Sequence, residues 1–147
     1  MKKTQSELVV ELDEARALSA KLEAVTNELN TFITKAEAAI EALGLGVHGS
    51  VVIDRSKNEG VEWIKELAFR KLNGKWRLLI ECGMIDDDDV SVDPLVNASR
   101  ADRLAAVEHF DALVRELLAN SKEQLKEVQA GSNKVQDFIE TISLSTK

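Results

Sequence analysis

The sequence predicts an α+β protein that is mostly α, with two long antiparallel coiled-coil helices flanking a small three-stranded antiparallel β-meander at one tip. Three observations lead to this fold class: heptad patterns on both sides of the chain centre, an Asn-Gly hairpin signal between them, and a composition with 4% aromatic residues, one Pro and 31% charged residues. Such a composition is typical of long helices. The 147 residues suit one domain, and we expect a single elongated domain over residues 1–147.

An apolar heptad repeat near the N-terminus predicts a helix over about residues 5–43. Its repeating positions, called the first seam, are Leu8, Leu12, Ala15, Ser19, Leu22, Thr26, Leu29, Ile33, Ala36, Ile40 and Leu43. A second apolar row at the g positions consists of Leu18, Val25, Phe32 and Ala39. This row widens the stripe beyond a two-stranded seam, so the helix is expected to contact more than one neighbour. Gly44 and Gly46 mark its end.

The central hairpin covers residues 61–82 and turns at Asn73 and Gly74, because a type I′ turn needs a positive φ at both central residues. A two-residue loop sets the register, so Arg70 faces Arg77 and alternate side chains share one face of the sheet. The face that must be covered holds Trp63, Lys65, Leu67, Phe69, Trp76, Leu78 and Ile80. The opposite face, expected to be mostly solvated, holds Glu66, Ala68, Arg70, Leu72, Lys75, Arg77, Leu79 and Glu81.

A third strand is predicted before the hairpin, because residues 47–54 follow a period of two. Together these strands form a meander over about residues 47–83. The acidic run Asp86, Asp87, Asp88 and Asp89 comes next, with Pro94 shortly after it. A run of like charges near a Pro is typical of an exposed connection. We therefore expect an acidic connection over residues 84–94.

A second heptad repeat predicts a helix over about residues 95–145, with Ser99 and Asp102 as a start signal similar to a capping box. Its positions, called the second seam, are Leu104, Val107, Asp111, Val114, Leu118, Ser121, Leu125, Val128, Ser132, Val135, Ile139 and Ile142. Phe110, Leu117 and Phe138 widen it on the g side. Gly131 costs about 1 kcal/mol relative to Ala inside a helix. The repeat keeps its phase there, so we expect a weak joint and not a helix end.

The order of these elements, a long helix, β-hairpins and a second long helix, is similar to the plan of prefoldin subunits. In that family the hairpins associate and the tips of the coiled coils hold client proteins. The resemblance therefore implies an oligomer that binds other proteins. It covers the layout of the whole chain and transfers no individual residue.

The apolar surface of the two helices is larger than two helices and a small sheet can bury, and a leftover stripe of this kind indicates an interface. We expect a homo-oligomer, most often a two-fold dimer, together with a protein partner that the sequence does not identify. The net charge of −7 disfavours binding to nucleic acid or to an anionic membrane. No apolar stretch approaches the roughly 20 residues of a membrane span and no leader pattern follows Met1, so we expect a cytoplasmic protein.

Catalysis is not expected, because convergent reactive groups are few. His48 with Ser50 and Asp54 lacks a nucleophile elbow and a Gly-rich oxyanion turn, and His109 occupies a solvated helix position. Cys82 is the only Cys and is expected to be a small buried residue. The sequence has no P-loop or dinucleotide-binding glycine pattern, and its Asp run lacks calcium-loop spacing. We therefore predict no enzyme, no cofactor and no metal.

Two sets of charged residues are candidate contact sites. Arg70 faces Arg77, with Lys75 close by, and like charges opposite each other destabilise a sheet. One hypothesis is that these three residues contact a partner or an anion; another is that the long side chains splay into water or onto the Asp run. The residues Asp86, Asp87, Asp88 and Asp89 form a candidate acidic contact loop.

These observations predict a non-enzymatic coiled-coil protein that acts as an oligomer, either as a scaffold for protein–protein interaction or as a chaperone-like protein. The alternative is a small acidic inhibitor or nucleic-acid mimic, of the kind that mobile elements encode, which blocks a basic surface of its partner. The net charge of −7 and the Asp run are the basis of this alternative.

Overall fold

The computed structural model describes residues 4–85 and 89–145 and confirms the α+β class, with most of the chain in helices. The elements are α1 (Gln5–Ala42), β1 (Gly49–Asn58), β2 (Val61–Leu72), β3 (Lys75–Met84), β4 (Val90–Pro94), a 3₁₀ turn (Leu95–Asn97), α2 (Arg100–Val107) and α3 (Phe110–Ser145). The four strands form one antiparallel sheet in the order β1-β2-β3-β4. A capping box formed by Thr4 and Glu7 begins α1.

The hairpin between β2 and β3 has the predicted register. Leu72 pairs with Lys75, and Arg70 pairs with Arg77. Asn73 and Gly74 adopt φ values of 54° and 82°, as the type I′ turn requires. The predicted turn and strand pairing are therefore confirmed.

The prediction of three strands is wrong, because part of the expected acidic connection is a fourth strand. β4 pairs with β3 from Gly83 opposite Val90 to Leu79 opposite Pro94. Val90 and Val92 alternate with polar residues, which is the period of a strand, but the segment is short and follows the Asp run. β4 ends at Pro94. A Pro has no N–H to donate to a neighbouring strand, so it is tolerated in an edge strand such as β4.

One face of the sheet carries the core, and helices cover it. The core residues are Ile33, Ile40, Val47, Leu67, Phe69, Leu78, Ile80, Leu95, Ala106, Leu113 and Leu117. The strand residues in this set lie on the face that the alternation predicts to be covered. Trp76 is half-buried on the same face, and its ring stacks on Phe69 with ring centroids 5.3 Å apart.

The C-terminal half of α1 packs on the sheet through the first seam, as the burial of Ile33 and Ile40 shows. α3 does not pack on the sheet through its seam. Its buried residues are Leu113 and Leu117. They lie beside the second seam, which therefore points away from the sheet. Leu117 is 1% exposed and the seam residue Leu118 is 48% exposed, so adjacent side chains of one helix have different environments.

The expected continuous helix over residues 95–145 is also corrected, because helix α2 ends before His109. In an α-helix the N–H of His109 would donate to the carbonyl of Ala105, but here the imidazole Nδ1 lies 3.0 Å from that oxygen. Since a carbonyl only accepts, this nitrogen carries the proton. The backbone N–H of His109 donates instead to Ala106, at 2.9 Å. The side chain of His109 thus takes the place of its backbone N–H at the Ala105 carbonyl, and the last turn of α2 tightens to an i→i−3 hydrogen bond. The helix α3 continues across Gly131 without interruption.

Gly49 of β1 packs closely against Leu117 of α3. A Cβ at this position would be 2.8 Å from Leu117 Cδ2 and 3.3 Å from Leu117 Cγ. We expect Gly49→Ala to destabilise the fold by about 1–3 kcal/mol, because the buried Leu117 side chain must shift to accommodate the added methyl group. Urea denaturation measures the change, and Ser50→Ala at the exposed next position is the control. Unchanged stability of Gly49→Ala would show that α3 can shift without cost.

Candidate protein-interaction surface

The ends of the two long helices that lie away from the sheet, residues 5–25 of α1 and 122–145 of α3, are called the outer halves. Every residue in them is exposed. In α1 the large apolar side chains are 47% to 66% exposed and consist of Leu8, Val9, Val10, Leu12, Leu18, Leu22 and Val25. In α3 they are 46% to 71% exposed and consist of Leu125, Val128, Val135, Phe138, Ile139, Ile142 and Leu144. The outer halves therefore do not cover each other within the chain.

Hydroxyl groups interrupt the seams near the junction with the sheet, and both bond within their own helix. Thr26 Oγ1 donates to the carbonyl of Leu22 at 2.7 Å, and Ser121 Oγ donates to that of Leu117 at 2.7 Å. A hydroxyl with an internal acceptor can enter a dry interface without a partner from another helix. These positions are therefore compatible with the burial of the seams.

The facing arginines of the hairpin bind carboxylates of the same chain. Arg70 Nε donates to Glu81, although the sequence places Glu81 four residues beyond the Arg77 that Arg70 faces. Arg77 Nε lies 3.7 Å from Glu37 Oε2. Lys75 is exposed beside the turn. The two guanidinium groups thus have internal countercharges, and the hypothesis that Arg70, Arg77 and Lys75 contact a partner or an anion stays a prediction.

The face that carries these arginines is less solvated than its alternation predicts. Leu79 is 0% exposed and Ala68 is 1% exposed, and the two face each other across β2 and β3. Arg70 and Glu81 lie on opposite sides of the Ala68–Leu79 row, Arg70 one row nearer the turn and Glu81 one row farther from it. The Arg70 side chain therefore reaches across the row of Ala68 and Leu79 to Glu81, and the methylene groups of an Arg can cover apolar surface in this way.

The acidic contact loop falls mostly outside the described residues. Asp86, Asp87 and Asp88 are not described, so the hypothesis of an acidic contact there stays a prediction. Asp89 is exposed immediately before β4.

Glu37 is a buried carboxylate that the sequence did not single out. The residue is 8% exposed, and its Oε2 accepts the backbone N–H of Leu78 at 2.8 Å. The pairing of β3 with β4 ends at Leu79 and Pro94, so this N–H has no strand partner. Glu37 therefore extends the sheet edge with a side-chain acceptor. Nothing in the local sequence separates it from the surface glutamates of α1.

A second unpredicted contact joins α1 to α2. Arg103 is nine-tenths buried, and its Nη1 donates to Asn30 Oδ1 at 2.5 Å. A planar guanidinium can hold such an amide in a fixed orientation. The contact fixes the short helix α2 beside the part of α1 that packs on the sheet.

Lys65 and Asp102 link the sheet to α2. Lys65 Nζ donates to Asp102 Oδ1 at 2.8 Å. This hydrogen bond raises the pKa of Lys65 above its usual value of 10.5; burial opposes the shift, and the negative charge of Asp102 adds to it. Since the charged amine is favoured in the folded state, the pair stabilises the fold below this pH and loses its effect as the pH rises through the folded-state pKa.

We therefore expect Asp102→Asn to lower the melting temperature at pH 7, at a cost below about 1 kcal/mol because the pair is partly solvated. The difference from the wild type should stay constant up to pH 9 and shrink above about pH 10.5. Thermal melts monitored by circular dichroism across this range measure it. Asp111→Asn, at an exposed position of α3, is the control. A difference that is the same at every pH would exclude a role for the Lys65 charge.

The remaining reactive side chains occupy separate places. The ring of His48 meets the ring of Trp76 edge-on, with ring centroids 5.3 Å apart. The backbone carbonyl of His48 accepts a hydrogen bond from Asn120 Nδ2 at 2.8 Å. Cys82 is half-buried. Within residues 4–85 and 89–145, no three His, Cys, Asp or Glu side chains are arranged to hold a metal. In the same described ranges, no helix has both the length and the apolar character of a membrane span.

The chain matches no protein-family model, no curated protein and no solved structure. The surface of the molecule therefore provides the main indication of function. Its largest feature is the pair of apolar stripes on the outer halves. No cluster of reactive groups among the described residues competes with it.

Proposed function

We propose that the protein is a non-enzymatic, oligomeric coiled-coil protein that binds other proteins, as a scaffold or in a chaperone-like way. The supporting observation is the exposure of both outer halves along their apolar seams. Contiguous exposed apolar surface of more than a few hundred Å² marks a protein interface. A two-fold dimer is the most frequent way to cover such a surface, and apolar surface that remains uncovered is available to another protein.

Sedimentation velocity combined with small-angle scattering tests this proposal. The expected result is an elongated particle with at least twice the mass of the 16.2 kDa chain. A compact, spherical monomer at all concentrations would contradict it. To separate the two modes of action, the protein is added to a heat-denatured reporter protein. A chaperone-like protein suppresses light scattering at stoichiometric ratios, whereas a scaffold with a folded partner leaves it unchanged.

The acidic-inhibitor alternative has one supporting feature beyond the Asp run. Residues 5–28 of α1 include six carboxylates and two basic side chains, and nearly all of this segment is exposed. An extended acidic helix can occupy a basic groove by charge complementarity. Asn replacements of Asp86 to Asp89 should then weaken binding to a basic partner and flatten its salt dependence. Equal binding of the variant at low salt would contradict a role for the loop.

A further inference from the structure

The outer halves can be covered by a second copy of the chain, and the amount of apolar surface fits this occupant. On each outer half the stripe contains large side chains that are about half exposed: Leu8, Leu12, Leu18, Leu22 and Val25 on α1, and Leu125, Val128, Val135, Phe138 and Ile139 on α3. At about 100 Å² per side chain, each chain offers on the order of 1,000 Å². A standard protein interface needs about 800 Å² from each partner.

The two stripes fit each other in one antiparallel register. In it Leu8 faces Ile139, Leu12 faces Val135, Ala15 faces Ser132, Ser19 faces Val128 and Leu22 faces Leu125. Every pair contains at least one apolar residue. Within the outer halves the hydroxyl-bearing positions face an Ala or a Val. At their inner boundary Thr26 faces Ser121, and each of these two hydroxyls donates within its own helix.

Charge complementarity supports the same register. Glu23 of one helix comes beside Lys122 of the other. Shifting α3 by one heptad in one direction puts Arg16 beside Lys122, which is a like-charge contact. Shifting it the other way puts Leu22 against Ser132. Two α3 helices paired with each other offer no opposite charges at these flanks, because Lys122 and its neighbours at e positions are basic or neutral.

Gly131 provides a steric reason for this pairing. In the single chain, a Cβ at Gly131 would have nothing within 4 Å, so no intrachain contact requires a glycine there. A glycine destabilises a helix interior relative to alanine. In the register above, the exposed Leu18 lies opposite Gly131, where the missing side chain leaves room for it.

We infer that two copies of the chain exchange contacts, with the outer half of α1 from each copy packed antiparallel on the outer half of α3 from the other. The inference rests on the proposed oligomeric function and specifies its partner surface. α1 runs towards its sheet and α3 runs away from it, so this pairing places both sheets at the same end of the dimer. The two contacts are equivalent under a two-fold axis.

Disulfide trapping between two single-cysteine proteins tests the inference. Both carry Cys82→Ser; one also carries Leu22→Cys and the other Leu125→Cys. Mixed under mild oxidation, they are expected to form a disulfide-linked dimer of twice the chain mass, and no intrachain bridge is possible. The pair Leu8→Cys and Leu125→Cys is the control, because these positions lie about 21 Å apart in the proposed register and should not link.

The outcomes separate this inference from the proposed function. A linked product from either protein alone, or none from the mixture while sedimentation shows a dimer, would overturn the inference and leave an oligomeric protein. An intrachain bridge in the combined Leu22→Cys and Leu125→Cys chain, without a mixed product, would place the coiled coil within one chain. A monomer at all concentrations would contradict both proposals.

A charge exchange gives a non-covalent readout. Glu23→Lys should weaken the dimer by roughly threefold to tenfold, since the dimer contains this contact twice. Adding Lys122→Glu to the same chain should restore the affinity of the wild type. Glu28→Lys, at an exposed position of α1 away from the stripe, is the matched control. If the combined variant is as weak as Glu23→Lys alone, Glu23 and Lys122 do not face each other.

Discussion

Glu37→Ala is expected to destabilise the folded chain by about 2–4 kcal/mol. The change removes the acceptor of the Leu78 N–H, which lies 2.8 Å from the carboxylate, and the countercharge 3.7 Å from Arg77. An unsatisfied buried donor costs about 1–3 kcal/mol, and the broken ion pair adds to that cost. Urea denaturation at one fixed protein concentration measures the change, because association would otherwise shift the apparent stability.

Two further variants separate the contributions of Glu37. Glu37→Gln keeps an acceptor for Leu78 and loses only the charge, so we expect a smaller loss of about 1 kcal/mol. Glu41→Ala, one turn later and exposed, should change stability by less than about 0.5 kcal/mol. Amide exchange at Leu78 should accelerate in Glu37→Ala and not in Glu41→Ala. If Glu37→Ala is as stable as the wild type, water replaces the carboxylate at this edge.

Leu117→Ala is expected to cost about 2–5 kcal/mol, whereas Leu118→Ala should cost less than about 1 kcal/mol. Leu117 is buried against Gly49, and the adjacent Leu118 is about half exposed. The comparison is made by urea denaturation at a concentration low enough to keep the chain monomeric. A larger loss for Leu118→Ala than for Leu117→Ala would mean that the second seam, and not Leu117, faces the sheet.

The sequence was most informative where the determinants are local. Asn73 and Gly74 define the hairpin turn by themselves, because few other residues accept two positive φ values. The apolar period of α1 likewise predicts its extent closely, from Gln5 to Ala42. In both cases a short window of the chain contains the physical cause.

The orientation of α3 could not be obtained from its period. The helix has apolar residues on adjoining faces, with Leu113 and Leu117 on one and Val114 and Leu118 on the next. Periodicity predicts a helix with a wide stripe but does not say which part meets the sheet. The contact with β1 determines which face of α3 meets the sheet, because Gly49 leaves space for Leu117.

The polar contacts between distant parts of the chain were not predicted for a related reason. Glu37, Arg103 and Lys65 each have partners distant in sequence: Leu78, Asn30 and Asp102. Their neighbours in the chain resemble those of any surface residue. Long-range pairing of this kind is a property of the folded chain and has no signature in a short window of sequence.

Both edges of the sheet are poor templates for a further strand. On one side, β4 is short, ends at Pro94, and leaves the next N–H of β3 bonded to Glu37. On the other side, β1 has an irregular register between Val52 and Asp54, and charged Arg55 and Lys57 follow. Bulges, charges, Pro and short strands are the features that protect proteins from edge-to-edge aggregation. Strand addition is therefore a disfavoured route by which copies could stack, and the sheet resists fibril-like growth.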